Sequence, residues 1–165
     1  LSVPKWDKLL NVNTRATLLL AQAAYPALKE SKGALVAVAS MSGMGAHPGM
    51  GAYSPSKAAL ISLCQVLAQE WACDGINVNT VSPGMIRTPL TQKVYENNQI
   101  AKERAALVPW GRVGNPEDIS NVISFLLSPE ANYITGQNIL VDGGFVDSLY
   151  RHIPGLPDSS EIDKT

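Results

Sequence analysis

The chain has 165 residues, of which 45% are hydrophobic and 16% charged, with a formal net charge of −1; this composition fits about one globular domain and excludes a disordered tail or a collagen-like repeat. Lys and Arg are scattered rather than run together, so nothing marks a surface for nucleic acid or an anionic membrane, and neither is expected as a partner. The longest apolar stretches, Thr17–Ala24 and Ala34–Ala39, fall far short of the ~20 residues that a membrane-spanning helix needs.

From the start of the chain, Trp6, Leu9, Leu10, Asn13, Thr17, Leu20 and Ala24 recur at three- and four-residue steps. That period predicts a long helix over about 4–30 with one apolar face, kinked near its end by Pro26. Asn13 falls on that face, where an amide must find partners. After Lys32-Gly33, the run Ala34–Ala39 is apolar at every position, the pattern of a parallel strand covered on both faces. Residues 43–51 hold four glycines and a proline and read as a loop. Helical period returns over about 52–73 through Tyr53, Lys57, Leu60, Leu63, Leu67 and Trp71. Cys64 and Cys73, nine positions apart on that helix, point to opposite faces at about 100° per residue and cannot pair with each other.

Ile76–Ser82, closed by Pro83-Gly84, reads as a second strand, and short helices are expected over about 88–110. A third long helix is marked by Asn115 as N-cap, Pro116 at the first position, and Glu117 and Asp118 at the positive end of the helix dipole. Asn138–Asp142 before Gly143-Gly144 is the last strand, and an extended or mobile tail is expected over 149–165. Alternating helices and strands imply βαβ units with right-handed crossovers, an α/β fold with a parallel sheet. There is no Cys-x-x-Cys spacing, N-glycosylation triplet or cleavable signal segment, which fits a reducing, cytoplasmic setting. His47 and His152 are too far apart in sequence to suggest a metal site, and none is expected.

The chemistry concentrates in Tyr53-Ser-Pro-Ser-Lys57. A phenol and an ammonium at i and i+4 share one helix face. A free tyrosine, with a pKa of about 10, exchanges protons poorly at neutral pH, and a fixed cation beside it favours the phenolate. Alone this pair is better explained by an ordinary helix surface. Its context is more specific: Ser40 closes the first strand, and Pro83-Gly84-Met-Ile86-Arg-Thr88 follows the second, both at the carboxyl edge where open α/β sheets bind ligands.

Together, Asn11-Val-Asn13, Val36-Ala-Val-Ala-Ser40, Ala52-Tyr53-Ser-Pro-Ser-Lys57, Asn77-Val-Asn-Thr-Val-Ser-Pro83-Gly84-Met-Ile86-Arg-Thr88, Gly111-Arg112, and Ile134-Thr-Gly136 through Asp142-Gly-Gly144 resemble the short-chain dehydrogenase/reductase family over about residues 6–144. The resemblance implies a partial Rossmann-like, doubly wound parallel sheet, corresponding to the last three of seven strands, and hydride transfer between NAD or NADP and a small alcohol or carbonyl compound. By the same resemblance Tyr53 is the general acid and base, Ser40 holds the substrate oxygen, Lys57 bonds the nicotinamide ribose beside Tyr53, and Asn13 anchors a proton-relaying water. Backbone groups at Pro83, Gly84 and Ile86, with the Thr88 hydroxyl, would set the nicotinamide face, and residues 89–110, including Tyr95 and Trp110, would close over substrate.

The family's glycine-rich phosphate turn and the residue that selects NAD or NADP have no counterpart in the 165 residues. The chain, which begins with Leu1, is therefore expected to be the carboxyl-terminal portion of a longer protein, 1–148 being its catalytic part, and to be inactive alone. The first strand is then expected to be a raw sheet edge, and a dimer or tetramer through the helices at about 4–30 and 52–73 is expected from the resemblance. The alternative is a catalytically silent oligomerisation or interaction fragment. A serine acyl enzyme built on Ser54-x-x-Lys57 is the third reading, and it lacks the companion Ser-Asp-Asn and Lys-Thr-Gly elements.

Overall fold

The computed structural model describes residues 1–155. The first helical stretch runs from Val3 to Ser31 as α1 (Val3–Leu10), one π-helical turn (Asn11–Arg15) and α2 (Ala16–Ser31). Pro26 sits inside α2 without ending it; the helix stops instead at Lys32, whose left-handed φ of 49° turns the chain into Gly33 and the first strand. Then follow β1 (Ala34–Val38), a 3-10 turn (Met41–Gly43), α3 (Tyr53–Trp71), β2 (Asn77–Pro83), the short α4 (Gln92–Tyr95) and α5 (Asn98–Leu107), α6 (Pro116–Leu126), and β3 (Asn138–Val141). Of the tail expected from 149, residues up to His152 belong to a 3-10 helix (Val146–His152) rather than an extended strand of chain; 156–165 lie outside the described residues.

The three strands form one parallel sheet in the order β1-β2-β3, with Val38 opposite Val81 and Val81 opposite Ile139. Since side chains alternate along a strand, the sheet has two apolar faces. On one, Ala37, Ala39 and Val78 pack with Leu60, Cys64, Leu67 and Trp71 of α3 and with Ala21 of α2. On the other, Val81 packs with Ile119 and Leu126 of α6 and with Ala131, joined by Val36, Ile139 and Val141. Helices on both faces of a parallel sheet make the α/β, doubly wound arrangement expected.

One detail differs from the helical pattern. Leu20, expected on the packed face of the first helix, is 71% exposed, and the buried position is its neighbour Ala21. Leu20 instead borders a groove along the free side of β1, together with Val12, Asn13, Val36 and Val38. The start of α6 is closed by Asp118, which accepts the Asn115 N–H at 2.7 Å and the Arg112 guanidinium through both its oxygens at 2.7 and 2.8 Å. The two cysteines are free, Cys64 buried and Cys73 exposed, as their spacing required. Burial pushes the Cys64 thiol up to about 11.

Candidate functional site

The site is assembled where the carboxyl end of β1 meets the first turns of α3. Tyr53 opens α3, its N–H bonded to the Met50 carbonyl at 3.1 Å, and Lys57 lies one turn later on the same face. The Lys57 ammonium is 5.8 Å from the centre of the Tyr53 ring, a cation over an aromatic face. It also donates to the Val38 carbonyl at 2.9 Å, which ties the helix to the strand end. Half-burial away from water pushes the Lys57 pKa down from its ordinary value.

Ser40, two residues beyond that carbonyl, is buried, and its Oγ accepts the Ser42 N–H at 3.1 Å. The Met41–Gly43 turn that follows is pressed onto α3: a Cβ at Gly43 would stand 2.8 Å from the Lys57 carbonyl carbon. Only a residue without a side chain lets the turn carrying Ser40 come this close to Lys57.

Asn13 reaches the same place from the π-helical turn. Its amide donates to Ser56 Oγ at 2.9 Å, and Ser56 in turn donates to the Tyr53 carbonyl at 2.7 Å. Thr14 donates to the Ser56 carbonyl at 2.9 Å. A π-turn widens the helix by one residue and is frequent at functional sites; here it holds the polar pair Asn13 and Thr14 against α3. The structure thus brings Asn13, Ser40, Tyr53 and Lys57 to one end of β1.

Pro83, the last residue of β2, and Gly84, Ile86 and Thr88 after it form a second cluster. Gly84 N–H donates to the Val141 carbonyl at 2.9 Å, and a Cβ there would lie 2.5 Å from Asp142 Cβ. Gly84 is therefore required by the close approach of β3. Ile86 pairs with Gly114 in a parallel bridge, and Thr88 is fastened by Thr91, whose hydroxyl accepts the Thr88 N–H at 2.9 Å and lies 3.2 Å from the Thr88 hydroxyl. Tyr95 of the 89–110 region is buried, with the guanidinium carbons of Arg87 and Arg104 at 5.3 and 5.6 Å from its ring centre. Trp110 is exposed and borders a small cavity with Met85 and Asp142.

Sequence reasoning missed Ser56, Thr91, and the pair formed by Ser42 and His47, which stand 2.8 Å apart between Oγ and Nδ1. Ser56 was visible inside the Tyr-to-Lys motif; a fully buried serine there needs a partner, and the amide at 13 is one. Ser54, the acyl-enzyme candidate, is not bonded to Lys57. Its hydroxyl is buried without a hydrogen-bond partner while the ammonium is held by Val38, so no Ser–Lys dyad exists. Among the described residues no cluster of three or more His, Cys, Asp or Glu is arranged to hold a metal ion, and no helix is long and apolar enough to cross a membrane.

Comparison with known proteins gives consistent matches. A family model described as enoyl-(acyl carrier protein) reductase matches residues 1–146. A 3-oxoacyl-[acyl-carrier-protein] reductase of Thermotoga maritima is 41% identical over 143 residues, 86% of this chain and 57% of that protein. Among solved structures, 4-hydroxyisoleucine dehydrogenase complexed with NADH superposes with a TM-score of 0.84 at 37% identity, over 89% of this chain and 61% of that one. A short-chain type dehydrogenase/reductase from Mycobacterium ulcerans superposes with a TM-score of 0.82 at 32% identity, over 87% of this chain and 53% of its own. The chain spans little more than half the length of these proteins.

Proposed function

Because this chain belongs to the short-chain dehydrogenase/reductase family, we propose that it carries the acid/base residues of an oxidoreductase that interconverts a small alcohol and its carbonyl compound. The observation that carries this reading is the convergence of Tyr53, Lys57 and the Ser40 turn at the end of β1, with the ammonium beside the phenol ring.

The residues fit the nicotinamide-ribose end of a nicotinamide dinucleotide. An ammonium has three donors, and among the described residues Lys57 uses one, on Val38. Two remain, which suits the paired hydroxyls of a ribose. The backbone at Pro83, Gly84 and Ile86 and the hydroxyl of Thr88 lie at the same carboxyl edge of the sheet, where such ligands bind. When bound, the dinucleotide supplies the hydride chemistry. The protein's part is the proton: the Tyr53 phenol gives it to, or takes it from, the substrate oxygen, which the Ser40 hydroxyl holds in place. Asn13, bonded to Ser56, would hold a water that relays protons from Lys57 to solvent. The residues present do not distinguish NAD from NADP.

These residues serve only the nicotinamide end. We therefore propose that turnover needs a phosphate-binding turn from outside the 165 residues and that the chain alone is inactive. The test is Tyr53→Phe in the complete encoded polypeptide, with nicotinamide absorbance followed across a panel of ketones and alcohols. Loss of an acid/base group costs about 10²–10⁴ in rate, with dinucleotide binding by calorimetry changed little. Unchanged turnover in Tyr53→Phe would reject the assignment.

A further inference from the structure

A cavity of about 640 Å³ lies between the 3-10 turn after β1, Met85 after β2, α5 and the Val146–His152 turn. That is within the size range of small-molecule sites. It borders the candidate site on two sides: through Ser42, whose N–H is bonded to Ser40, and through Met85, next to Gly84. Its walls combine an apolar body, supplied by Met85, Leu107 and Phe145, with the Arg104 guanidinium and the imidazoles of His47 and His152, and among the described residues no acidic side chain lines it.

Arg104 is the informative member. Among the described residues the ion pairs are Lys29–Asp74 and Arg112–Asp118, so Arg104 has no carboxylate partner there; the acidic Glu103 beside it accepts a bond from Gln99 at 2.8 Å. What holds Arg104 is Tyr95, whose buried ring its guanidinium faces at 5.6 Å. A cation over a ring face engages its charge and uses none of its N–H donors, so the five donors remain for another acceptor. A half-buried guanidinium with no acid beside it among the described residues, at the wall of an apolar cavity, is the complement of a carboxylate on an apolar body.

We propose that this cavity is the substrate site of the oxidoreductase, and that it selects a keto acid or hydroxy acid whose carboxylate is bound by Arg104 and whose apolar body lies against Met85, Leu107 and Phe145. The word substrate rests on the function proposed above; the anion site does not. His47, held through Nδ1 by Ser42, has its other ring nitrogen left as a second polar contact.

The test is calorimetric titration of the 165-residue chain, without dinucleotide, with 4-oxo-4-phenylbutanoate and with its methyl ester. The acid is expected to bind about tenfold more tightly than the ester, the scale of one charge-assisted contact. Arg104→Gln should abolish that difference and leave ester binding unchanged. Arg104→Lys should keep part of it. Arg87→Gln, which removes the other cation on Tyr95 but none from the cavity wall, should keep all of it. Equal binding of acid and ester, binding of neither, or discrimination that survives in Arg104→Gln overturns the proposal; should Arg104→Gln unfold, the acid and ester affinities of the native chain and of Arg104→Lys still decide. Turnover in the complete polypeptide separates this from the wider reading. An acid that binds through Arg104 but is never reduced rejects the oxidoreductase, whereas reduction of neutral ketones with no preference for the acid rejects the anion site alone.

Discussion

The two adjacent strands β1 and β2 make an instructive pair. β1, Ala-Leu-Val-Ala-Val, is wholly apolar, yet Val38 is 46% exposed and only Ala37 is buried. β2, Asn-Val-Asn-Thr-Val-Ser-Pro, is half polar, yet Val78 to Ser82 are almost completely inaccessible. Neighbours, not composition, decide the burial. β2 is paired on both sides, and its polar side chains are matched: Asn79 donates to Ile134 at 2.7 Å and accepts from Gln137 at 3.0 Å, and Thr80 and Ser82 both donate to Asn138. A buried polar group costs little when it is bonded in this way. β1 has a neighbour on one side only. Along its free side runs the groove bordered by Leu20 and Val12, and the Lys57 ammonium bonds its last carbonyl. A lysine at an open edge is a common guard against pairing with another strand.

The largest test of this contrast is Asn79→Ala against Val38→Ala. The first leaves the Ile134 carbonyl and the Gln137 N–H without their partner inside the molecule and should cost about 2–4 kcal/mol in urea unfolding. The second trims a half-exposed side chain and should cost under about 1 kcal/mol; equal losses would show that the edge strand is as well covered as the central one. Gly84→Ala comes next. Its methyl group would meet the Cβ and Cα of Asp142 at 2.5 and 2.7 Å, forcing β3 away from β2 at about 1–3 kcal/mol, whereas Gly45→Ala, with nothing within 4 Å, should be nearly silent by the same measurement.

The smallest expected effect is at the helix ends and depends on pH. The Arg112 guanidinium and the Asn115 N–H hold the Asp118 carboxyl well below the usual carboxylate range, and Lys29 and Tyr25 lower that of Asp74. A carboxyl depressed by folding stabilises the native state above its unfolded value of about 3.9, and that contribution is lost as pH falls through the lower, folded value. The chain should therefore hold its helicity through pH 4 and lose stability below it. Arg112→Gln should move the acid midpoint, followed by circular dichroism, slightly upward, and the shift should shrink with added salt because both partners are solvent-accessible. No movement of the midpoint would mean that the pair contributes nothing to the closure of α6.

Much of this molecule was legible in its residues. The order of helices and strands follows from apolar spacing, the start of α6 from Pro116 and its acidic first turn, and the opposite fates of Cys64 and Cys73 from their nine-residue separation. The pairing of Tyr53 with Lys57 follows from a four-residue step on a helix. These are short-range facts, fixed by the geometry of a single element. What the amino-acid order left open needed contacts between segments far apart in the chain: that Asn13 meets Ser56 across 43 positions, and that Leu20 borders an open groove while Ala21 fills the core. An apolar period states which face of a helix avoids water, but only the packed sheet decides how much of that face finds a neighbour, because burial is a property of the surface brought against it.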